Sequence, residues 1–272
     1  MIRSEHTLGD PTINVILFGE AGVGKSAVVN LIAQHEVARV SADVDGCTLL
    51  STPYDIPMDG IHFRIFDTIG LNQPDFVLTS HLEAIERAYQ LIVALRDAGG
   101  IHLLLLCMRA SRMTLTTRNN YQLFSEFLCQ KKVPVAVVVT GCEREEGEME
   151  GWWTRNKTGI EQHGVQSDGH ACVTAVTDGT AGEDAMYRES QRKIRELLKS
   201  CSLKSGAFTL DAMTWLAMTG GGMRSLIKEG KSPKKRDIEK VLSERLRLRR
   251  DDVKRIIVMM EKAETGRGNG EH

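Results

Sequence analysis

The amino-acid sequence predicts an α/β fold with a doubly wound, mostly parallel sheet, followed by a helical C-terminal extension. Short apolar runs recur at residues 13–18, 101–108 and 133–139, and segments with helical spacing of apolar residues lie between them. Continuous apolar runs of this length are typical of parallel strands that are buried on both faces. A glycine-rich turn at residues 19–26 follows the first run and precedes a predicted helix. This order of strand, turn and helix predicts a P-loop NTPase architecture.

Length and charge divide the chain into two parts. The 272 residues, of which 42% are hydrophobic and 26% charged, are enough for one α/β domain and an appendage. The formal net charge of -1 conceals an asymmetry, because residues 1–200 are acidic overall and residues 201–272 are basic. We therefore predict a globular domain at residues 11–200. A basic helical extension with a disordered end is predicted at residues 201–272.

The sequence also suggests where the protein acts. The first residues contain no apolar signal core, and no apolar run is long enough to span a membrane. Six scattered cysteines without a C-x-x-C pair suit reduced thiols better than disulfides or zinc. We expect a cytoplasmic protein, with peripheral membrane binding through the basic extension as a further expectation.

Residues 19–26 read Gly-Glu-Ala-Gly-Val-Gly-Lys-Ser, the G-x-x-x-x-G-K-S spacing of a P-loop. The glycines let the backbone wrap closely around a polyphosphate, so that successive N–H groups and the positive end of the helix face its oxygens. Lys25 is expected to reach the β- and γ-phosphates as a catalytic cation, and the Ser26 hydroxyl is expected to bind Mg²⁺. The predicted phosphate-binding residues are Gly19, Glu20, Ala21, Gly22, Val23, Gly24, Lys25, Ser26 and Ala27.

The loop at residues 35–52 lies where a GTPase keeps its first switch. Thr48 is predicted to place its hydroxyl on Mg²⁺ and its backbone N–H on the γ-phosphate, which makes it a metal-binding and catalytic candidate. Ser51 and Thr52 remain alternatives for the same role.

A D-x-x-G motif follows two short predicted strands. The strands, at residues 52–56 and 61–66, surround a Pro-Met-Asp-Gly turn and lead into Asp67-Thr68-Ile69-Gly70. At this distance from the P-loop, Asp67 is expected to hold Mg²⁺ through water and the Gly70 N–H to meet the γ-phosphate. Such a pair senses whether the third phosphate is present.

Thr140-Gly141-Cys142-Glu143 follows the apolar run at residues 133–139 and stands where a GTPase has N-K-x-D. Guanine presents N1–H and N2–H₂ as adjacent donors, whereas adenine presents an acceptor at N1. Glu143 therefore favours guanine, and sites built in this way discriminate by roughly 10⁴-fold. Two features depart from the pattern: Gly141 has no alkyl stem to lie over the base, and Glu143 is one methylene longer than aspartate.

The last predicted strand, at residues 170–176, ends in Thr174-Ala175, which is similar to the S-A-x element whose backbone N–H contacts guanine O6. Trp152 and Trp153 are expected to pack in the core, with stacking on the base as the alternative. His102 is expected to be structural. Helices are predicted at residues 80–97, 114–130, 149–163 and 184–200.

These motifs stand in the order of a Ras-like G domain, and their combination resembles a family of fungal G-domain-containing proteins. That family is similar to AIG1/GIMAP-type and chloroplast-import GTPases and, more distantly, to septins. The resemblance covers about residues 11–200 and includes residues 67–72, residues 133–143, Gly151-Trp152-Trp153 and residues 169–174. It implies GTP or GDP and Mg²⁺ as cofactors. It assigns phosphate binding to Gly19, Gly24 and Lys25, metal binding to Ser26, Thr48 and Asp67, and base contact to Thr140 and Glu143.

Leu71 stands where a Ras-like protein has the glutamine that orients the attacking water. Leucine cannot hold a water molecule, so intrinsic hydrolysis should be slow. In Ras-type enzymes the gap between unassisted and assisted rates is about 10⁵-fold. An arginine supplied in trans, a dimer partner, Asn72 or Gln73 are candidates for completing the site, and Arg39 is a candidate within the chain.

The expected function is a Mg²⁺-dependent GTPase switch, with a homodimer through the nucleotide face and an activating or effector protein as expected partners. The alternative is a guanine-nucleotide-binding scaffold or assembly module that hydrolyses little. An ATPase of another P-loop branch is disfavoured by Glu143 and by the position of D-x-x-G. The basic extension is expected to contact an anionic membrane or an acidic partner, or to pack on the G domain, and nucleic acid is not expected. Its basic residues include Lys234, Lys235, Arg236, Arg245, Arg247, Arg249 and Arg250.

Overall fold

The computed structural model describes residues 12–38, 52–68, 95, 98–176, 179–204, 206–209, 254 and 258. The strands are β1 (Thr12–Gly19), β2 (Thr52–Met58), β3 (Ile61–Asp67), β4 (Leu103–Arg109), β5 (Val135–Thr140) and β6 (Gly169–Val173). The helices are α1 (Lys25–Ala33), α2 (Leu115–Tyr121), α3 (Glu150–Gln162) and α4 (Ala181–Ser202), and a π-helical segment at Gln122–Leu128 continues α2.

The strands form one sheet in the order β2-β3-β1-β4-β5-β6, which confirms the predicted doubly wound fold. β2 pairs antiparallel with β3 as the predicted hairpin, and the other neighbours are parallel. From β1 the chain first adds strands on one side and then crosses to the other. Ligands of such sheets bind at the carboxyl ends of the strands beside this reversal. The P-loop follows β1 at that edge.

Apolar side chains fill both faces of the sheet, because successive strand residues point to opposite sides. In β1, Ile16 and Phe18 belong to one buried cluster, and Val15 and Leu17 belong to the other. The first cluster includes Phe124, Trp152 and Trp153. The second includes Val28, Leu31, Ile194 and Leu198 from α1 and α4. The central strands are therefore buried on both faces, as their uninterrupted apolar runs predict.

Several predicted elements differ from the structure. β2 continues to Met58, two residues beyond its predicted end, and α4 begins at Ala181, three residues before its predicted start. The strand expected at residues 170–176 ends at Val173, because the Thr174 N–H donates to Ser190 Oγ of α4 and the Thr174 hydroxyl donates to the Val176 carbonyl. The helix expected at residues 114–130 is α-helical only to Tyr121 and then widens, as the bond from Cys129 N to Phe124 O illustrates.

Other predictions about single side chains are confirmed. Trp152 and Trp153 are buried, and the Trp153 ring stacks on His170 with 4.3 Å between ring centroids. His102 is structural, since its Nδ1 accepts a hydrogen bond from Asn14 N at 3.0 Å. Searched over the described residues, the structure contains no helix that is long and apolar enough to cross a membrane.

Several predicted features lie outside the described residues. They are Arg39, Thr48, Ser51, Gly70, Leu71, Asn72, Gln73, nearly all of the helix at residues 80–97, and most of the extension at residues 201–272. For Thr52 only the backbone is described. The division of the chain at residue 200 stays a prediction.

Candidate functional site

The P-loop lies in close contact with the sheet. Gly19 ends β1 opposite Cys107 of β4, and a Cβ atom at Gly19 would lie 2.1 Å from the Cys107 carbonyl oxygen. Only glycine permits this approach of two backbones. Val23 is buried in the loop, and its carbonyl oxygen accepts hydrogen bonds from the Thr140 hydroxyl and the Cys107 thiol. Hydrogen bonds from β4 and β5 therefore fix the P-loop, and α1 begins directly after it at Lys25.

Replacing Gly19 with alanine should displace the P-loop and strongly weaken nucleotide binding, because the added methyl group overlaps a backbone oxygen. GDP affinity measured by calorimetry and the thermal midpoint should both fall. Gly159→Ala is the matched control, since a Cβ at Gly159 within α3 meets no atom within 4 Å. An unchanged GDP affinity in the Gly19→Ala variant would contradict the close packing of the loop.

Lys25 is held at the mouth of the loop. Its ammonium donates to the Glu20 carbonyl oxygen at 2.8 Å and to the Gly19 carbonyl oxygen at 3.3 Å. Burial lowers the pKa of Lys25, although the charge of Asp67 opposes this effect. A buried ammonium that is held mainly by carbonyl oxygens is suited to a phosphate, which would supply the negative charge that the site lacks.

Ser26 and Asp67 form a site that fits Mg²⁺. The Ser26 hydroxyl donates to Asp67 Oδ2 at 3.0 Å, which joins α1 to the end of β3. Asp67 Oδ1 is buried and has no hydrogen-bond partner among the residues that the structure describes. Burial raises the pKa of Asp67, while the nearby Lys25 and the Ser26 hydroxyl lower it. Hard oxygen donors of this kind suit Mg²⁺, and an unpaired carboxylate oxygen is the atom that a metal-bound water would contact.

Thr68 fixes the start of the D-x-x-G segment. Its N–H and its hydroxyl both donate to the Leu17 carbonyl oxygen, at 3.0 and 2.9 Å. Because Leu17 lies two residues before Gly19, this double contact ties the end of β3 to the strand that carries the P-loop. The D-x-x-G pattern specifies only Asp67 and Gly70, so the positioning role of Thr68 could not be predicted from the motif.

Glu20 links the P-loop to α2. Its carboxylate accepts hydrogen bonds from the hydroxyl groups of Thr114 and Thr117, the latter at 2.5 Å. Thr114 also caps α2 by accepting from Thr117 N. The segment between β4 and α2 is thus fastened to the phosphate loop, a contact that nothing in the P-loop pattern predicts.

Thr140 joins the loop after β5, which is the predicted base-binding loop, to the P-loop. Its buried hydroxyl donates to the Val23 carbonyl oxygen at 2.6 Å and lies 3.3 Å from the Met108 carbonyl oxygen. The hydroxyl is therefore engaged within the protein, where it ties the end of β5 to the P-loop. Its contact with the base stays a prediction.

Glu143 presents an unsatisfied acceptor at the end of β5. The residue is half-buried, and its Oε2 atom is buried without a hydrogen-bond partner in the described part of the chain. Leaving a buried carboxylate oxygen unpaired is costly. Such an atom is well suited to a ligand that brings its own N–H donors.

The polar groups of Thr174 after β6 are engaged within the protein. Its N–H donates to Ser190 Oγ and its hydroxyl donates to the Val176 carbonyl oxygen. A contact of the Ala175 N–H with the base stays a prediction. Ser190 is itself fixed by donating to the Met186 carbonyl oxygen at 2.8 Å. No sequence pattern predicts that Ser190 fixes the Thr174 N–H, because α4 is distant in sequence from this loop.

Comparison with known proteins agrees with this geometry. A family model described as 50S ribosome-binding GTPase matches residues 14–140. The tRNA modification GTPase MnmE of Sinorhizobium medicae is 32% identical over 132 residues, which are 48% of this chain and 26% of the relative. MnmE of Rhizobium johnstonii is 36% identical over 90 residues, 33% of this chain and 19% of the relative. Toc33 from Arabidopsis thaliana has a similar fold, with a TM-score of 0.52 at 16% identity over 73% of this chain and 88% of that structure.

The fold is that of a GTP-binding G domain. The matches to MnmE span only about a quarter or less of those longer proteins. The resemblance to fungal, AIG1/GIMAP-type and septin-like proteins stays a prediction.

Within the G domain, the structure brings the predicted phosphate, metal and base residues to one edge of the sheet. Glu20–Gly24 form the loop, and Lys25, Ser26 and Ala27 begin α1. Asp67 ends β3, and Glu143 follows β5. Thr48 and Gly70, the remaining metal and γ-phosphate candidates, lie outside the described residues.

Proposed function

We propose that this G domain is a Mg²⁺-dependent GTPase switch with slow intrinsic hydrolysis, which a second copy or an activating protein completes. One observation carries the proposal: the site holds two buried carboxylate oxygens, Asp67 Oδ1 and Glu143 Oε2, that have no partner among the described residues. One belongs to a P-loop metal site, and the other follows β5. A Mg²⁺-bound guanine nucleotide would satisfy both.

At the phosphate end, the P-loop N–H groups and Lys25 would bind the polyphosphate. Lys25 would exchange its carbonyl contacts for phosphate oxygens, which neutralises an ammonium that burial makes costly. Ser26 and Asp67 would hold Mg²⁺, which neutralises phosphate charge and so supports transfer of the γ-phosphoryl group. Thr68 keeps Asp67 in place by fixing the end of β3 on Leu17.

At the base end, Glu143 would accept hydrogen bonds from the N1–H and N2–H₂ groups of guanine. Adenine would instead place an acceptor against the buried carboxylate oxygen and leave it unpaired. The bond from Thr140 to the Val23 carbonyl oxygen keeps the base loop in register with the P-loop. Recognition of the base is therefore coupled to the position of the phosphates.

Similar proteins support the proposal. A Toc33 structure that was solved with GDP and Mg²⁺ resembles this chain with a TM-score of 0.50 at 17% identity. Another Toc33 structure is of a dimerization-deficient mutant, and the matched MnmE proteins are GTPases. A homodimer through the nucleotide face is the arrangement that we propose for completing this site.

Replacing Glu143 with alanine should narrow the preference for GTP over ATP. Hydrogen bonds to charged groups contribute about 1.5–3 kcal/mol each, so the loss of two should weaken GTP binding by about 100-fold or more. Competition of GTP, inosine triphosphate and ATP against a labelled guanine nucleotide measures the change. Glu146→Ala is the matched control, because Glu146 is an exposed carboxylate of the same loop. An unchanged ratio of GTP to ATP affinity would exclude Glu143 as the base-reading residue.

A guanine-nucleotide-binding scaffold is the second candidate function. Leu71, which replaces the water-orienting glutamine, favours it. Such a scaffold would bind GTP with the same residues and would use the nucleotide to control assembly, with little hydrolysis.

A further inference from the structure

The base loop of this G domain lacks a side chain at the position that usually covers the base. Gly141 stands between Thr140 and Glu143 and adopts a left-handed conformation with φ of 78°. A glycine there leaves one face of the purine without an alkyl stem. Any side chain that covers this face must therefore come from another element.

Arg109 occupies the space beside Gly141. It is the last residue of β4, is exposed at the carboxyl edge of the sheet, and pairs in register with Thr140 of β5. The backbone continues this contact, because the Ala110 N–H donates to the Thr140 carbonyl oxygen at 2.8 Å. A Cβ atom at Gly141 would lie 3.5 Å from Arg109 Cγ and 3.6 Å from Arg109 Nε. The arginine stem thus runs along the surface that a side chain at Gly141 would use.

We propose that Arg109 lies against one face of the bound guanine and supplies the stacking surface that Gly141 cannot. This inference rests on the proposed function, because it takes the loop with Glu143 as the base site. A planar guanidinium stacks on aromatic rings and on nucleobases, and it adds a cation–π attraction. Among the residues that the structure describes, no carboxylate forms an ion pair with Arg109, so the guanidinium has no such bond to break.

Glu143 and Arg109 then divide the recognition of the base. Glu143 reads its hydrogen-bonding edge and distinguishes guanine from adenine. Arg109 covers its face and contributes affinity that does not depend on which purine is present. Stacking contacts of this type are tolerant of base identity, because every base has a π-face.

The test compares ligands with and without a base. Arg109→Ala should weaken binding of GDP and of inosine diphosphate by the same factor, about tenfold, or ~1.4 kcal/mol. It should leave binding of ribose 5-diphosphate, which has no base, unchanged. Arg112→Ala is the matched control, because it removes an exposed arginine three residues along the chain. Circular dichroism and the thermal midpoint check that each variant is folded.

Two results would overturn the proposal. If Arg109→Ala binds GDP as tightly as the unmodified protein, Arg109 does not contact the base. If it weakens GDP and ribose 5-diphosphate equally, Arg109 acts on the phosphates through its charge. Neither result depends on guanine selectivity, so failure of Glu143→Ala to change the ratio of GTP to ATP affinity would contradict the proposed base reader separately.

Discussion

Replacing Lys25 with alanine is expected to abolish measurable binding of GTP and GDP while the domain stays folded. Lys25 is the cation of the P-loop, and its ammonium lies 2.8 Å from the Glu20 carbonyl oxygen within that loop. Truncating one partner of a buried, hydrogen-bonded charge pair typically costs about 2–5 kcal/mol or more. We therefore expect the affinity to fall by about 30-fold at the least and by several thousand-fold at the upper end of that range.

The fold should survive this change because Lys25 contributes charge more than packing. Burial lowers the pKa of Lys25, so its charged form is unfavourable in the free protein. Folding lowers the pKa of Lys25 below its ordinary value of 10.5, so the unfolded chain binds the proton more tightly than the folded one. The free energy of unfolding should therefore increase as the pH rises from the lowered pKa to 10.5. The charged form of Lys25 is therefore stabilised by a bound phosphate rather than by the free fold.

Calorimetric titration with GDP and with GTP, beside a thermal melt, measures both expectations. Lys157→Ala is the matched control, since Lys157 is an exposed lysine of α3 whose only described carboxylate neighbour is Glu161 at 3.8 Å. A folded Lys25→Ala variant with unchanged nucleotide affinity would show that the P-loop is not the phosphate site.

The sheet could be predicted from the sequence because burial on both faces leaves a direct mark. β4 and β5 read as uninterrupted apolar runs, and the hairpin of β2 and β3 shows as two short strands around a turn containing Gly60. The end of β6 could not be predicted in this way. Its position depends on Ser190, which draws the Thr174 N–H away from the sheet and lies in a helix sixteen residues later.

The change from an α-helix to a π-helical segment after Tyr121 could not be predicted from the sequence either. Tyr121, Phe124 and Leu128 are buried as the helical spacing predicts. The same inward-facing residues are compatible with an α-helix and with the wider π-helical turn, so apolar periodicity alone does not distinguish the two.

The phosphate end of the site was predicted residue by residue, since its chemistry lies in contiguous motifs. At the base end the sequence predicted Thr140, Gly141, Glu143, Thr174 and Ala175, but it did not predict Arg109. Arg109 stands beside Gly141 because β4 and β5 are parallel neighbours, a relation that exists only in the folded sheet. A polar residue at the end of an apolar strand was the available signal, and it indicates an edge position without naming the partner.

The largest change in rate is expected when a second molecule completes the site. Leu71 removes the side chain that would orient the attacking water, so each molecule should hydrolyse GTP slowly in dilute solution. If the partner supplies the missing group, turnover per molecule should rise with protein concentration. The possible increase in GTP turnover is large. Assisted and unassisted rates differ by about 10⁵-fold in Ras-type enzymes, which corresponds to roughly 7 kcal/mol of activation barrier.

GTP turnover measured across a wide dilution series, beside light scattering for the oligomeric state, tests this expectation. The Lys25→Ala variant at each concentration is the control for contaminating phosphatase, because it should not bind the substrate. Fast turnover that stays constant per molecule in a monomer would contradict the proposal and indicate a residue of the same chain. Slow turnover that is independent of concentration would instead favour the scaffold.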